Sequence, residues 1–201
     1  VTGISISVNQ TVISVFNSKN EEVSGPHYFP VKIQPDISVF RNVKSELERV
    51  IAESKIPEDK ILVTGIELPG LINLKKGTNK TYFPDEENLF DKLRDIFGTR
   101  VYFNHDAKIR TFAEQHFGLA RGRKNVLMLQ TAWGLGLGII SNGKLYSGKS
   151  GYSGEFGHLP IVDNGVLCNC GKNGCLETAV SAIAIARMAK EGIAKGSLSL
   201  I

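Results

Sequence analysis

The sequence from Gly157 to Glu177, GHLPIVDNGVLCNCGKNGCLE, contains all three cysteines of the chain and one of its four histidines. Three thiols and an imidazole are the ligands that hold zinc tetrahedrally, and a closed Cys3His set is typical of a structural site. Gly171 and Gly174 allow the tight backbone turns that would bring the last two cysteines to one ion. Free buried cysteines are the alternative. The candidate ligands are His158, Cys168, Cys170 and Cys175.

His158 lies ten residues before Cys168, so the intervening segment Leu159–Leu167 has to fold back to close the site. Neither end of this segment has a long periodic element to hold it. We therefore expect metal binding to order the segment, and Glu155 with it.

Composition excludes several classes of protein. The chain has 201 residues, 42% of them hydrophobic and 22% charged, which suits one globular domain or two small lobes. Its net charge of +4 comes without a long basic run, so it does not resemble a strong nucleic-acid binder. No apolar stretch reaches 18 residues, and residues 1–16 lack the pattern of a signal peptide. Three clustered cysteines in such a chain indicate a reducing compartment, so we expect the cytoplasm and no membrane partner.

The first half of the chain predicts an α/β layer with a mostly parallel sheet, in the order βββαβαβα. Alternating residues in 1–16 predict a strand or hairpin arm that turns at Asn9-Gln10, and a further strand is expected near 27–33. The remaining predicted elements are a helix capped by Ser38 and ended by Pro57, a buried strand at 60–66, a helix at 89–97, a strand at 100–103 and a helix at 107–119.

The second half predicts a different arrangement. Strands are expected at 126–129 and 136–140, and Asn142-Gly143 should form a hairpin turn before 144–146. A glycine-rich loop and the Cys/His segment follow. One helix is predicted from Glu177 to about Lys190.

Several motifs together resemble those of the ROK family, the repressors, open reading frames and sugar kinases. Gly154-Glu-Phe-Gly-His158, nine residues, Cys-x-Cys-Gly-x-x-Gly-Cys and then Leu176-Glu177 resemble the family signature. Upstream, the resemblance extends to Gly65–Gly70, Asn104–Ala107 and Gly134–Gly138. The resemblance is strongest to the regulator-like branch, with its repressors of the N-acetylglucosamine and glucose type.

The resemblance implies an actin-like ATPase (ribonuclease H-like) fold of two lobes with a cleft between them. It places an amino-terminal α/β lobe at 1–107 and the first part of a carboxyl-terminal lobe, with the zinc loop, at 108–201. This second lobe is expected to be incomplete. Repressors of the family also carry a helix-turn-helix DNA-binding domain ahead of the sugar domain, which we expect upstream of this chain.

By the same resemblance, a sugar would be held by two histidines and three acids, one histidine also binding the metal. Carboxylates and imidazoles accept hydrogen bonds from sugar hydroxyls, and a metal-fixed loop would hold them in register. The sugar-binding candidates are His105, Asp106, Glu155, His158 and Glu177.

Two phosphate loops separate the kinases of the family from this chain. The kinases resemble Gly-x-Asp-x-Gly-Gly-Thr near the amino end, where open backbone approaches ATP. Here Ser5 replaces the Asp, and Ser7-Val8-Asn9 replaces Gly-Gly-Thr. Trp133 stands where the second loop of the kinases has a threonine. We therefore expect no ATP or Mg²⁺ cofactor and no catalytic residue.

The sequence thus predicts the sugar-responsive, effector-binding part of a transcriptional regulator with a structural zinc. Its partners would be a monosaccharide or amino sugar, and operator DNA through a domain not in this chain. We expect a homodimer or homotetramer. The alternative is an ATP-dependent, glucokinase-like sugar kinase in which Asp106 acts as general base. A third hypothesis is a structural interaction module held by zinc.

Overall fold

The computed structural model describes residues 1–98 and 100–197, and it divides the chain into two compact units. Unit 1 is Val1–Ile109 and unit 2 is Arg110–Ile201. The last four residues of the predicted second lobe lie outside the described residues.

Unit 1 has the predicted order of strands and helices, with one small additional hairpin after the fourth strand. Its elements are β1 (Thr2–Ile6), β2 (Thr11–Phe16), β3 (Glu22–Phe29), α1 (Ser38–Glu53), β4 (Thr64–Leu68), β5 (Ile72–Asn73), β6 (Thr78–Asn79), α2 (Leu89–Phe97), β7 (Val101–His105) and α3 (Asp106–Phe117), which continues into unit 2. The hairpin formed by β5 and β6 is the addition.

The main sheet of unit 1 is mixed, so the prediction of a mostly parallel sheet was wrong. The strand order is β3-β2-β1-β4-β7, with β4 parallel to both β1 and β7, whereas β2 is antiparallel to both of its neighbours. Short turns join β1 to β2 and β2 to β3, and a short turn can only connect antiparallel strands. The carboxyl ends of the three parallel strands lie at one edge.

Two strands lie away from their predicted positions. The strand expected at 27–33 is Glu22–Phe29, because Pro30 follows it and has no N–H for a ladder. The strand expected at 60–66 begins only at Thr64, because Glu58–Lys60 forms a 3₁₀ turn directly after Pro57. At β7 the strand continues two residues past Phe103, which places His105 at its end.

Ile37, and not Ser38, is the N-cap residue of the first helix, and its side chain makes no capping hydrogen bond. Ser38 is the first residue of α1 and makes no cap itself. Its backbone N–H and its hydroxyl donate to the two oxygens of the Asp36 carboxylate, at 2.9 and 2.6 Å. These hydrogen bonds lower the pKa of Asp36.

The core of unit 1 forms where α1 packs on the sheet. All six residues of the apolar face of α1 are buried, and the ring of Phe40 lies 5.1 Å from that of Phe83. Burial of such side chains is the main stabilising term for this unit. The face consists of Val39, Phe40, Val43, Leu47, Val50 and Ile51.

Unit 2 is built on a three-stranded antiparallel sheet of order β10-β9-β8. Its elements are β8 (Val126–Thr131), β9 (Leu135–Ser141), β10 (Lys144–Leu145), a 3₁₀ turn at Phe156–His158, α4 (Glu177–Val180) and α5 (Ala182–Ala194). The predicted strands and hairpin are confirmed. Within the described residues, no helix is both long and apolar enough to cross a membrane.

The prediction of one helix from Glu177 to about Lys190 was wrong, because the helical conformation is interrupted at Ser181. This residue is extended, with ψ of 164°, and its side chain accepts a hydrogen bond from the Ala184 N–H at 3.3 Å. Serine favours such a cap over a position inside a helix, so one amphipathic run becomes two helices.

Candidate metal centre and sugar-binding residues

The four predicted metal ligands lie together in unit 2. One ligand atom from each lies within 4.8 Å of the other three. The Cys168 Sγ is 3.5 Å from the His158 Nδ1, and the Cys170 Sγ is 3.6 Å from the Cys175 Sγ. Cys168 and Cys175 are buried, and Cys170 is half-buried. These residues could hold one metal ion.

Two of the distances in this cluster match the edges of a tetrahedral zinc site. With a Zn–S bond of about 2.3 Å and a Zn–N bond of about 2.0–2.1 Å, a tetrahedron has S···S edges of roughly 3.8 Å and S···N edges of roughly 3.6 Å. The two distances above lie within about 0.2 Å of these values. A disulfide would need the sulfurs at about 2.05 Å, far closer than the 3.6 Å between Cys170 and Cys175.

Burial makes two of the three thiols harder to ionise than a free cysteine. Burial raises the pKa of Cys168 to about 12, and burial raises the pKa of Cys175 as well. Burial opposes ionisation of Cys170 too, but hydrogen bonds from the Lys172 amide and the neighbouring thiols lower its pKa. A metal ion bound here would favour the thiolate form of all three cysteines.

The segment between His158 and Cys168 folds back, as predicted. The backbone N–H groups of Ile161 and Val162 both donate to the Gly174 carbonyl, at 2.8 and 3.1 Å. The Leu176 N–H donates to the Leu159 carbonyl at 2.9 Å. The start of the segment thus pairs antiparallel with the residues around Cys175.

Only glycine fits at position 174. Its φ of +70° lies in the left-handed region, and a Cβ there would lie 1.8 Å from the Val162 carbonyl oxygen. That oxygen belongs to the backbone and cannot turn away as a side chain could. The conformation and the close approach therefore both require the absence of a side chain.

His158 faces the cysteines with one nitrogen and a predicted sugar ligand with the other. Its Nδ1 is directed at Cys168, while its Nε2 is 3.8 Å from the Glu155 Oε2. Glu155 directly precedes the 3₁₀ turn that leads into the folded-back segment, and His158 is the last residue of that turn. The Lys172 ammonium donates to the His158 carbonyl at 2.7 Å, which fixes this turn to the cysteine loop.

Glu177 connects the cysteine cluster to the loop between β8 and β9. Its Oε2 accepts a hydrogen bond from the Leu135 N–H at 2.9 Å, and its Oε1 is 4.0 Å from the Cys168 Sγ. Sequence reasoning predicted the residue but not this contact, which joins positions 42 residues apart. Contacts thus link Glu155, His158 and Glu177 within unit 2.

The other two predicted sugar ligands lie in unit 1. His105 ends β7 and Asp106 begins α3, at the carboxyl edge of the parallel strands. The Asp106 Oδ1 is 3.2 Å from the His105 Nδ1 and accepts from the Ala107 N–H at 2.7 Å. Both side chains are largely buried, with exposed fractions of 14% and 20%. This edge is where α/β sheets place ligand groups.

In the turn between β1 and β2, Ser7 uses both of its donors within the turn. The Ser7 N–H and hydroxyl both donate to the Gln10 carbonyl, at 2.8 and 2.7 Å. On the preceding strand, the Ser5 hydroxyl donates to the Glu67 carboxylate of β4, which lies directly opposite it in register. Glu67 is buried, with an exposed fraction of 8%.

Sequence reasoning missed Glu67 as part of this edge. A signal was present, because a glutamate in the run Gly65-Ile-Glu-Leu68 interrupts an otherwise apolar buried strand. Its pairing with Ser5 depends on the register between β1 and β4, which a single sequence does not reveal.

Comparison with known proteins identifies the family. A sequence model of the ROK family matches residues 1–200, nearly the whole chain. The chain belongs to the ROK family. The resemblance seen in the motifs is thereby confirmed, and with it the family's actin-like ATPase fold, of which this chain is a part.

Relatives in the ROK family include both enzymes and regulators. A glucokinase of Thermotoga maritima is 34% identical over 171 residues, which are 82% of this chain and 54% of that protein. The DNA-binding transcriptional dual regulator NagC of Escherichia coli is 26% identical over 187 residues, 91% of this chain and 46% of the regulator. The chain therefore spans about half the length of the curated relatives it matches.

A solved structure gives the same assignment. The ROK-family glucokinase of Streptomyces griseus, in complex with glucose and AMPPNP, superposes with a TM-score of 0.78 at 28% identity. The superposition covers 97% of this chain and 62% of the glucokinase.

Proposed function

We propose that this chain is the effector-binding part of a ROK-family transcriptional regulator that responds to a monosaccharide or amino sugar and carries a structural zinc. One observation carries the choice of regulator over enzyme: the donors of Ser7 in the β1–β2 turn and the hydroxyl of Ser5 in β1 are already hydrogen-bonded within the protein. The Ser7 amide and hydroxyl donate to Gln10, and the Ser5 hydroxyl donates to Glu67.

The kinase motif needs the opposite arrangement. In Gly-x-Asp-x-Gly-Gly-Thr, bare backbone amides and a hydroxyl are free to donate to phosphate oxygens. Here a phosphate would compete with the Gln10 carbonyl for the donors of Ser7. It would also approach the buried carboxylate of Glu67, and two like charges at close range repel. Trp133 in place of threonine removes a further hydroxyl donor.

The sugar and the zinc rest on the predicted side chains. Carboxylates and imidazoles offer the acceptors that sugar hydroxyls need, and we assign this role to His105, Asp106, Glu155, His158 and Glu177. Zinc is the ion we assign to His158, Cys168, Cys170 and Cys175, because three thiolates and one imidazole suit it. When bound, it would hold the turn that carries His158 to the cysteine loop that leads into Glu177. Operator DNA would be read by another part of the full protein.

The second candidate function is an ATP-dependent sugar kinase. The glucokinase of Thermotoga maritima is more similar in sequence than the regulator NagC, at 34% against 26% identity. Asp106 could serve such an enzyme as general base. Overall identity averages over the fold, whereas the two functions differ at the few positions that contact phosphate, so we give those positions more weight.

Calorimetry of the full-length, zinc-loaded protein with a panel of monosaccharides and amino sugars should show at least one saturable ligand. With that ligand, Asp106→Asn should weaken binding roughly 10- to 100-fold, because a hydrogen bond to a charged group contributes about 1.5–3 kcal/mol. Asp85→Asn, which alters an exposed carboxylate of the same unit, is the matched control. If no sugar binds the wild-type protein, the effector function is wrong.

A coupled ADP-release assay with the same sugars tests the kinase. Kinases turn over at roughly 1–100 per second, and we expect no sugar-dependent turnover above background. A known glucokinase measured in parallel shows that the assay reports activity. Sugar-dependent turnover that Asp106→Asn abolishes would establish the enzyme and overturn the regulator.

A further inference from the structure

The loop between β8 and β9 is a three-residue turn held by backbone hydrogen bonds. The two strands pair as far as Thr131 and Leu135, which leaves Ala132, Trp133 and Gly134 to reverse the chain. The Ala132 N–H donates to the Gly134 carbonyl at 3.0 Å, and the Ala132 carbonyl accepts from the Ala182 N–H at 3.0 Å. The turn is therefore fixed both internally and to the first residue of α5.

Glu177 holds the same turn from the other side. Its Oε2 accepts from the Leu135 N–H, and a Cβ on Gly134 would lie 2.6 Å from that oxygen. The carboxylate thus contacts the backbone of the residue next to Trp133. Glycine at 134 keeps this approach open.

The turn that carries His158 meets the loop at the same residue. A Cβ on Gly157 would lie 2.4 Å from the Leu135 carbonyl oxygen, so the backbones of the two turns are in close contact. The N–H of Leu135 is therefore bonded to Glu177, and its carbonyl group contacts the turn that carries His158. The loop with Trp133 directly precedes Leu135 in the chain.

Trp133 presents its indole from this fixed loop with 48% of its surface exposed. It is the one tryptophan of the sequence. A large apolar ring on a hydrogen-bonded turn, whose backbone meets Glu177 and the turn of His158, suits a ligand with polar edges and an apolar face. Because the backbone is already ordered, binding costs little further entropy.

We infer that Trp133 is a ligand-contacting and specificity-determining residue, which packs against the C–H face of a pyranose whose hydroxyls bind Glu155, His158 and Glu177. This inference rests on the proposed sugar-binding function. The indole then has a role of its own and does more than replace a threonine.

The experiment uses the full-length, zinc-loaded protein and the sugar identified by calorimetry. Trp133→Ala should weaken binding about tenfold, because a ring contact contributes roughly 0.5–1.5 kcal/mol beyond the area it buries. Trp133→Phe keeps a ring and should lose less than about threefold. Phe117→Ala, which removes another exposed ring of unit 2, should bind as the wild type does. Zinc content should be equal in all four proteins.

The fluorescence of Trp133 gives a second reading at the same site. Saturating sugar should change its emission in the wild type, while a sugar that calorimetry shows not to bind should leave it unchanged. If the wild type binds sugar but Trp133→Ala binds equally well, the inference about Trp133 is wrong and the sugar-binding function stands. If the wild type binds no sugar, the proposed function fails, and this inference fails with it.

Discussion

Cys170→Ser is expected to lose zinc and weaken sugar binding together, although Cys170 is not itself a predicted sugar ligand. Loss of a direct ligand should lower metal affinity by more than about 100-fold, since outer-shell changes alone cost roughly 10- to 100-fold. Sugar affinity should fall at least about tenfold, because His158 and Glu177 both adjoin Cys168. Metal analysis and calorimetry on the same preparations measure both.

This expectation depends on how much a bound zinc contributes to the folding free energy of the loop, compared with the hydrogen bonds of the loop. The backbone hydrogen bonds that fold the segment back contribute about 0.5–1.5 kcal/mol each. A structural zinc contributes about 10–16 kcal/mol in small zinc-dependent domains. The loop should therefore loosen without the ion despite its hydrogen bonds.

Asn169→Ser is the control for Cys170→Ser, because it alters the exposed residue between the two cysteines and leaves every ligand in place. It should keep about one zinc per chain and bind sugar normally. A Cys170→Ser protein that has lost its zinc but binds sugar with unchanged affinity would show that the metal stabilises the loop without ordering the sugar-binding residues.

Gly174→Ala is expected to destroy the metal loop. The added methyl carbon would lie 1.8 Å from the Val162 carbonyl oxygen, and the alanine would have to keep a φ of +70°. Left-handed backbone costs an L-residue about 1–2 kcal/mol. Moving Val162 away from position 174 also breaks the hydrogen bonds between these two segments, which contribute about 0.5–1.5 kcal/mol each. We expect a loss of more than about 3 kcal/mol in the free energy of unfolding, measured with urea, and a loss of zinc.

Gly171→Ala separates the two causes. Gly171 has a φ of +86°, but a Cβ there would meet no atom within 4 Å. Only the conformational cost of about 1–2 kcal/mol should appear, with zinc retained. Equal losses in the two variants would mean that the close approach of Gly174 to Val162 contributes nothing.

Much of the local structure could be predicted from the sequence. The apolar face of α1 repeats with helical spacing, and the β1–β2 and β9–β10 turns have residues that favour reversal, so neighbouring positions determined these elements. The metal cluster was predictable for the same reason: its four members lie within 18 residues, and the glycines between them allow few other paths.

Features that depend on distant partners were not predictable. Ser5 bonds Glu67 only because β1 and β4 pair in one register. Glu177 reaches Leu135 only because α4 starts beside the β8–β9 turn. The break at Ser181 follows from a choice between continuing a helix and capping a new one, two states of similar free energy. Strand pairing and caps were thus set by contacts that spacing alone does not show.

The two faces of His158 have a consequence for the direction of hydrogen bonds in the site. An imidazole that gives the lone pair of Nδ1 to a metal carries its proton on Nε2, so the ion selects one tautomer. Nε2 lies on the side of Glu155 and can then only donate. A hydroxyl placed between them would accept from His158 and donate to the Glu155 carboxylate. The metal would thus fix the direction of the hydrogen bonds that run from His158 through a sugar hydroxyl to Glu155.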